Sequence, residues 1–223
     1  LTESQDYTYP INVIDSSLGL LADECSDLAE LLRGKAPKVP RVRFGKTELH
    51  MPVVSLGCMR FQQSWNRDGQ KVLDMVDLEN ECQENLVRIL EYAIECGVNH
   101  IETAKGYGSS QLQIGYALKS LFDSGVVLRE DLIIQTKGGV SSSMTIADYK
   151  QQILDSIDLL QLDYVDLFSM HGLNTQAEYD LLFNNPKGNL IIALQELKQE
   201  GKIRHFGFST HGPADLIRKA IET

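Results

Sequence analysis

The sequence predicts an α/β protein built on a parallel sheet, and three observations carry that prediction. Short strand-like runs alternate with amphipathic helical runs five times between residue 52 and the last residue, the pattern of parallel strands joined by helical crossovers. The strand runs are continuously apolar over most of their length, as expected when both faces of a sheet are covered. No GxGxxG follows the first strand, and GYGSSQ after the second lacks that spacing, so the dinucleotide fingerprint of an open doubly wound sheet is absent. Periodicity alone admits an open sheet or a closed barrel, and the missing fingerprint tilts the balance toward the barrel.

Residues 1–40 read as an N-terminal helical extension, separate from a barrel domain over residues 41–223. Asp15 and Ser16 are placed to cap a helix with the apolar stripe Leu18, Leu21, Ala22, Cys25, Ala29 and Leu32, which Gly34, Pro37 and Pro40 terminate. Such a helix packs on the rest of the chain or binds a partner. Arg43–His50 then suggests a small hairpin, and PVVSLG (Pro52–Gly57) a first strand. After a polar loop (Gln62–Asp77) comes a helix with Leu86, Ile89, Leu90, Ala93 and Ile94 on one face, stopped by Gly97. NHIET (Asn99–Thr103) is the second strand, followed by a glycine-rich turn and a helix carrying Ile114, Ala117, Leu118, Leu121 and Phe122. LIIQTK (Leu132–Lys137) is the third, followed by a helix that Thr145 caps and that buries Ile146, Tyr149, Ile153, Ile157 and Leu160. YVDLFSMH (Tyr164–His171) leads to a helix over about Asn189–Glu200, and IRHFGFS (Ile203–Ser209) to a last amphipathic run from Pro213.

Bulk properties narrow the partners. The formal net charge of −10 disfavours nucleic acid and anionic membranes, which attract basic surfaces. No apolar run reaches the length of a membrane span. The four cysteines, Cys25, Cys58, Cys82 and Cys96, are scattered and form no CxxC pair. They suit the cytoplasm or another reducing compartment, such as an organelle stroma.

In a parallel barrel the active site lies at the carboxyl ends of the strands. Glu102 and Thr103 end the second strand, with Tyr107 in the following loop; Lys137 ends the third, His171 the fourth, and Ser209, Thr210 and His211 the fifth. Singly, each reads as a rim residue or loop aromatic, and His100 and His205, inside strands, as satisfied core histidines. Together they make chemical sense. A phenol ordinarily titrates near 10; an ammonium beside it stabilises phenolate, and a carboxylate keeps that ammonium charged and oriented. Tyr107, Lys137 and Glu102 form such a relay, and His171 is placed to polarise a substrate oxygen. That set suits proton transfer to an oxygen gaining negative charge, as in carbonyl reduction. The chain has no redox group of its own, so a bound hydride donor is required.

The order of these motifs resembles the aldo-keto reductase superfamily. RFGKTELHMPVVSLGCMRF (Arg43–Phe61) resembles its opening hairpin and first barrel strand, and GVNHIETAKGYGSSQLQIGYAL (Gly97–Leu118) the segment bearing its catalytic acid pair. QTKGG (Gln135–Gly139), VDLFSMHG (Val165–Gly172) and GKIRHFGFSTHG (Gly201–Gly212) match the next three strand ends in order. The resemblance covers residues 41–223 and implies a (β/α)8 TIM barrel, of which five units are counted. The chain is therefore expected to be part of a longer protein. The resemblance also implies a catalytic tetrad of Glu102, Tyr107, Lys137 and His171, with Tyr107 as general acid, acting on a small-molecule carbonyl. It further implies NADPH extended across the barrel mouth, approached by Gly57, Met59, Arg60, Glu102, Ser209, Thr210 and His211. Two positions depart from the family pattern. Glu102 stands where aspartate is usual, and Thr210 where an asparagine usually follows the serine, with His211 placed to compensate. Both features are similar to the branch with a C-terminal iron–sulfur extension, although these residues contain no such cysteine cluster.

Two other functions are conceivable on a barrel of this kind. A metal-dependent barrel hydrolase would need an HxH pair at the first strand, which offers only Cys58 and Met59. A non-catalytic cofactor-binding partner or regulatory protein on the same barrel would resemble the β subunits of voltage-gated potassium channels. The intact Tyr107, Lys137 and His171 set argues for an enzyme, and no metal site is expected.

Overall fold

The computed structural model describes residues 38–63 and 75–223. The helix expected over Asp15–Leu32, and residues 64–74 of the polar loop, lie outside the described residues.

Arg41–Arg43 (β1) and His50–Pro52 (β2) form the expected hairpin, antiparallel with Arg41 opposite Pro52 and Arg43 opposite His50. Its turn uses a left-handed Gly45 at φ 56, a conformation that costs glycine little because it lacks Cβ. Arg43 and Glu48 pair across the turn.

Five strands follow: Leu56–Gly57 (β3), His100–Glu102 (β4), Ile133–Gly138 (β5), Val165–Met170 (β6) and Ile203–Phe208 (β7). Every pairing is parallel, and the spatial order is the chain order. This order separates the two architectures that periodicity left open. A doubly wound sheet reverses its strand order at a switch point, whereas successive barrel strands always add on the same side. No reversal occurs among these strands, which form an arc of a parallel barrel.

The first strand is shorter than PVVSLG suggests. Val53 and Val54 are more than half exposed, and the Val53 N–H donates to Pro40 O at 2.9 Å, which keeps this stretch with the hairpin. Only Leu56 and Gly57 pair with β4. Met51 packs with Leu49, Ile133 and Leu167, so the hairpin seals the amino end of the sheet's inner face.

The helices are Asn80–Glu95 (α1), Ser110–Asp123 (α2), Ile146–Leu159 (α3), Gln176–Phe183 (α4), Ile191–Gln199 (α5) and Ala214–Glu222 (α6). Leu86 and Leu90 of α1 are buried, but Ile89 is 38% exposed, so that helix presents a narrower apolar stripe than its sequence suggests. Gly97 ends α1 at φ 92, where a side chain would lie 3.1 Å from Lys38 and Val39. Thr145 caps α3 by accepting from the Asp148 N–H, and the Asp148 carboxylate accepts in return from the Thr145 N–H. Tyr149, Ile153, Ile157 and Leu160 are buried as expected.

One helix was not expected. Thr175 and Glu178 form a second capping box at the start of α4, and the Glu178 carboxylate accepts from the Asn174 and Thr175 N–H groups, both at 2.8 Å. The T-x-x-E spacing is its sequence signal. At the amino end of the sheet, the buried Asp166 carboxylate binds Arg129 at 2.8 Å, Arg204 at 2.9 Å and the Ile134 N–H at 2.9 Å. The two guanidinium groups also flank the Tyr164 ring, at 4.1 and 4.4 Å from its centroid. A buried carboxylate is tolerable only with such partners, and these fasten β5, β6 and β7 together.

Candidate active site

Successive side chains of a strand alternate between faces, so Glu102 shares the inner face of the sheet with His100, and Lys137 with Gln135. The parallel register places Glu102 opposite Gln135 and Lys137 opposite Ser169. The inner face therefore has two polar levels. The lower one is a hydrogen-bonded chain: His100 Nδ1 lies 2.8 Å from Ser55 Oγ, His100 Nε2 lies 3.0 Å from Gln135 Oε1, and Gln135 Nε2 donates to Ser169 Oγ at 3.1 Å. His100 is thus a satisfied interior histidine, and burial holds its pKa below the ordinary value.

The upper level, at the carboxyl ends of the strands, brings the four predicted residues together. Lys137 Nζ donates to Tyr107 Oη at 2.8 Å and contacts the Glu102 carboxylate. The Tyr107 and His171 rings meet edge to face, with centroids 5.5 Å apart and planes at 84°. The His171 backbone is fixed at the rim by its N–H, which donates to Gly138 O at 2.8 Å. The additional methylene of Glu102, relative to aspartate, does not prevent contact with the lysine.

Electrostatically the site differs from expectation at the phenol. Burial raises the Tyr107 pKa above its ordinary value, whereas a neighbouring ammonium alone would lower it. The donated Lys137 hydrogen bond opposes that rise by favouring phenolate. Burial also lowers the Lys137 ammonium to about 8, against the Glu102 carboxylate, which favours its charged form. His171 is lowered by burial and by the Lys137 charge, so its imidazole is neutral at neutral pH and keeps one N–H for donation. Cys58 lies near Lys137, and burial pushes its thiol up to about 12. It is a neutral, inaccessible thiol and no nucleophile.

Ser110 and Gln111, which strand-end position does not single out, hold this arrangement together with Thr103 and Thr136. Thr103 Oγ1 and Ser110 Oγ lie 2.8 Å apart, Ser110 Oγ donates to Cys58 O at 2.5 Å, and Gln111 Nε2 donates to Thr136 Oγ1 at 2.6 Å. These bonds pin the start of α2, and with it the Tyr107 turn, to the ends of β3, β4 and β5. Their signal was the polar run SSQ at a helix start, which reads only as capping until tertiary partners are known.

The residues expected near a cofactor fall toward the two ends of the strand row. Gly57 ends β3, with Met59 and Arg60 just beyond it, Glu102 ends the adjacent β4, and Ser209, Thr210 and His211 follow β7. A Cβ on Gly57 would meet only the Glu102 carboxylate, at 3.9 Å, and one on Gly139 or Gly207 would meet nothing within 4 Å. The backbone at the mouth is therefore approachable, which fits a ligand laid across the strand ends. Among the described residues, no group of three or more histidine, cysteine or acidic side chains could hold a metal ion.

The sequence profile of the aldo/keto reductase family matches residues 54–223. The chain belongs to that family. It is 28% identical over 191 residues to an uncharacterised oxidoreductase of Bacillus subtilis, a match covering 81% of this chain and 51% of the relative. It is 25% identical over 203 residues to the NADH-specific methylglyoxal reductase of Escherichia coli, covering 82% and 55% respectively. Among solved structures, an aldo-keto reductase of Bacillus halodurans in its holo form superposes with a TM-score of 0.60 at 27% identity, over 82% of this chain and 54% of that one. Membership accounts for the sequential parallel strands as part of the aldo-keto reductase barrel. This chain spans about half the length of the curated relatives it matches. No helix among the described residues is long and apolar enough to cross a membrane.

Proposed function

We propose that this chain carries the catalytic groups of an oxidoreductase that reduces a small aldehyde or ketone to an alcohol, with Tyr107 as general acid and NADPH as hydride donor. The observation that carries the proposal is the Lys137 Nζ placed 2.8 Å from Tyr107 Oη while also touching Glu102. Such a contact stabilises the phenolate left behind when the phenol gives up its proton. In this mechanism the His171 imidazole donates a hydrogen bond that orients the substrate oxygen beside Tyr107. Tyr107 Oη passes its proton to that oxygen as negative charge develops there, and the phenolate regains a proton from solvent. Glu102 holds the lysine charged and directed at the phenol. The reduced nicotinamide, when bound, supplies the hydride that completes the alcohol. Gly57, Met59, Arg60 and Glu102 on one side, and Ser209 and His211 on the other, would hold it.

Support for a bound cofactor comes from the Bacillus halodurans relative, whose structure is described as a holo form. The Escherichia coli relative is described as NADH-specific, so both cofactors belong in the test. Oxidation of NADPH and of NADH should be followed with a panel of aldehydes and quinones, for the chain and its Tyr107→Phe variant. Loss of the general acid should lower turnover by about 10²–10⁴-fold and leave cofactor binding intact. A chain that binds NADPH yet reduces nothing, with or without Tyr107, would sink the enzyme proposal.

A further inference from the structure

We propose that Thr210 is a positioning residue for His171. Its hydroxyl clasps the loop after β6 to the loop after β7, instead of facing a ligand. This inference rests on the proposed role of His171.

The two loops are joined by successive bonds. The Gly172 N–H donates to Ser209 Oγ at 3.1 Å, and the Leu173 N–H donates to Ser209 O at 2.8 Å. Thr210 Oγ1 donates to Leu173 O at 2.5 Å and accepts from the Gly212 N–H at 2.8 Å. The His211 N–H donates to Asn174 Oδ1 at 2.6 Å. The three residues after His171 are therefore held, one by one, by three consecutive residues after β7. The loops lie so close that a Cβ on Gly212 would come within 2.9 Å of Asn174 O.

A hydroxyl has one proton, and that of Thr210 is committed to Leu173 O. The Ser209 hydroxyl only accepts in these contacts, so its proton remains free for a ligand acceptor. The Thr210 side chain is therefore an anchor, and its effect reaches the chemistry through Gly172 and the His171 backbone.

The groups facing the imidazole are the Tyr107 ring and the Lys137 charge. A loosened loop would let water reach His171, so its titration should move up toward the ordinary imidazole value. The test compares the chain with Thr210→Val, which keeps the shape without the hydroxyl, and with Thr210→Ser, which keeps the hydroxyl. Backbone amide exchange and the imidazole titration of His171 are both read by NMR. In Thr210→Val the Leu173 amide should exchange roughly tenfold faster and the His171 titration should move upward. Thr210→Ser should restore both, and β5 amides should stay as in the parent chain.

Unchanged exchange at Leu173, an unmoved His171, or failure of the serine to rescue would overturn the clasp. So would equal acceleration across β5, which would make Thr210 a support of the whole fold. None of these readings depends on turnover. A chain that reduces no carbonyl but behaves in this way refutes the proposed reaction and leaves the clasp standing.

Discussion

Lys137 is 8% exposed and sits between a carboxylate and a phenol. Its neighbours need it charged, and its burial opposes that charge. With the folded value lowered to about 8, the unfolded chain binds more protons between there and the ordinary lysine range. Folding stability should therefore rise with pH across that window, and lose this contribution as pH falls through about 8. Urea denaturation of the parent chain and of Lys137→Met, at pH about 8 and about 10, checks this. The parent should gain more stability on going to the higher pH than the variant does, and equal gains would contradict the burial of the charge. Of the candidate site residues, Glu102, Lys137 and His171 were legible from strand-end position, and Tyr107 from the loop that follows the second strand. The direction of the Tyr107 shift was not, because burial is a property of packing that no single strand end displays. Thr210 was visible as a departure from the usual asparagine, but its partner, Leu173 O, belongs to another strand's loop.

Helix positions were mostly readable from apolar period and caps, as with Thr145 and the buried stripe of α3. The start of α4 escaped notice because it is only eight residues long and opens inside a polar loop. How closely the helices approach was also hidden. Gly115 on α2 faces the carboxyl end of α3 so tightly that a Cβ would fall 2.2 Å from Leu159 O and 2.9 Å from Leu160 C. Backbone cannot rotate aside as a flexible side chain can. Gly115→Ala should therefore destabilise the chain by about 1–3 kcal/mol or more, seen as a lowered thermal midpoint. Gly139→Ala, with nothing within 4 Å, provides the comparison and should change the midpoint little. Equal midpoints for the two variants would show that the helices separate at no cost.

At the scale of the whole molecule, β3 and β7 end the strand row, and each pairs on one side only among the described residues. Beside β7 lies a groove of about 550 Å³ lined by Phe183, Leu194, Phe206, Phe208 and Ile221, with Phe206 36% and Ile221 71% exposed. An unpaired strand edge next to apolar surface promotes association. The purified chain is expected to self-associate with rising concentration, and Phe206→Lys to reduce that association, as read by sedimentation velocity over a dilution series. Identical profiles for the two proteins would remove β7 as the cause.

Local composition determined a great deal here. The alternation of apolar strands with amphipathic helices specified parallel strands, because each strand must be covered on both faces and returned to by a crossover. The polar residues at strand ends specified a candidate site, because the carboxyl ends of parallel strands share one rim. Tertiary structure decided the rest. It chose sequential strand order over a reversed one, shortened the first strand by keeping Val53 with the hairpin, and joined Lys137 to both Tyr107 and Glu102. These outcomes depend on contacts between residues far apart in the chain. Such contacts arise from register and close packing, which leave no periodic trace in the sequence.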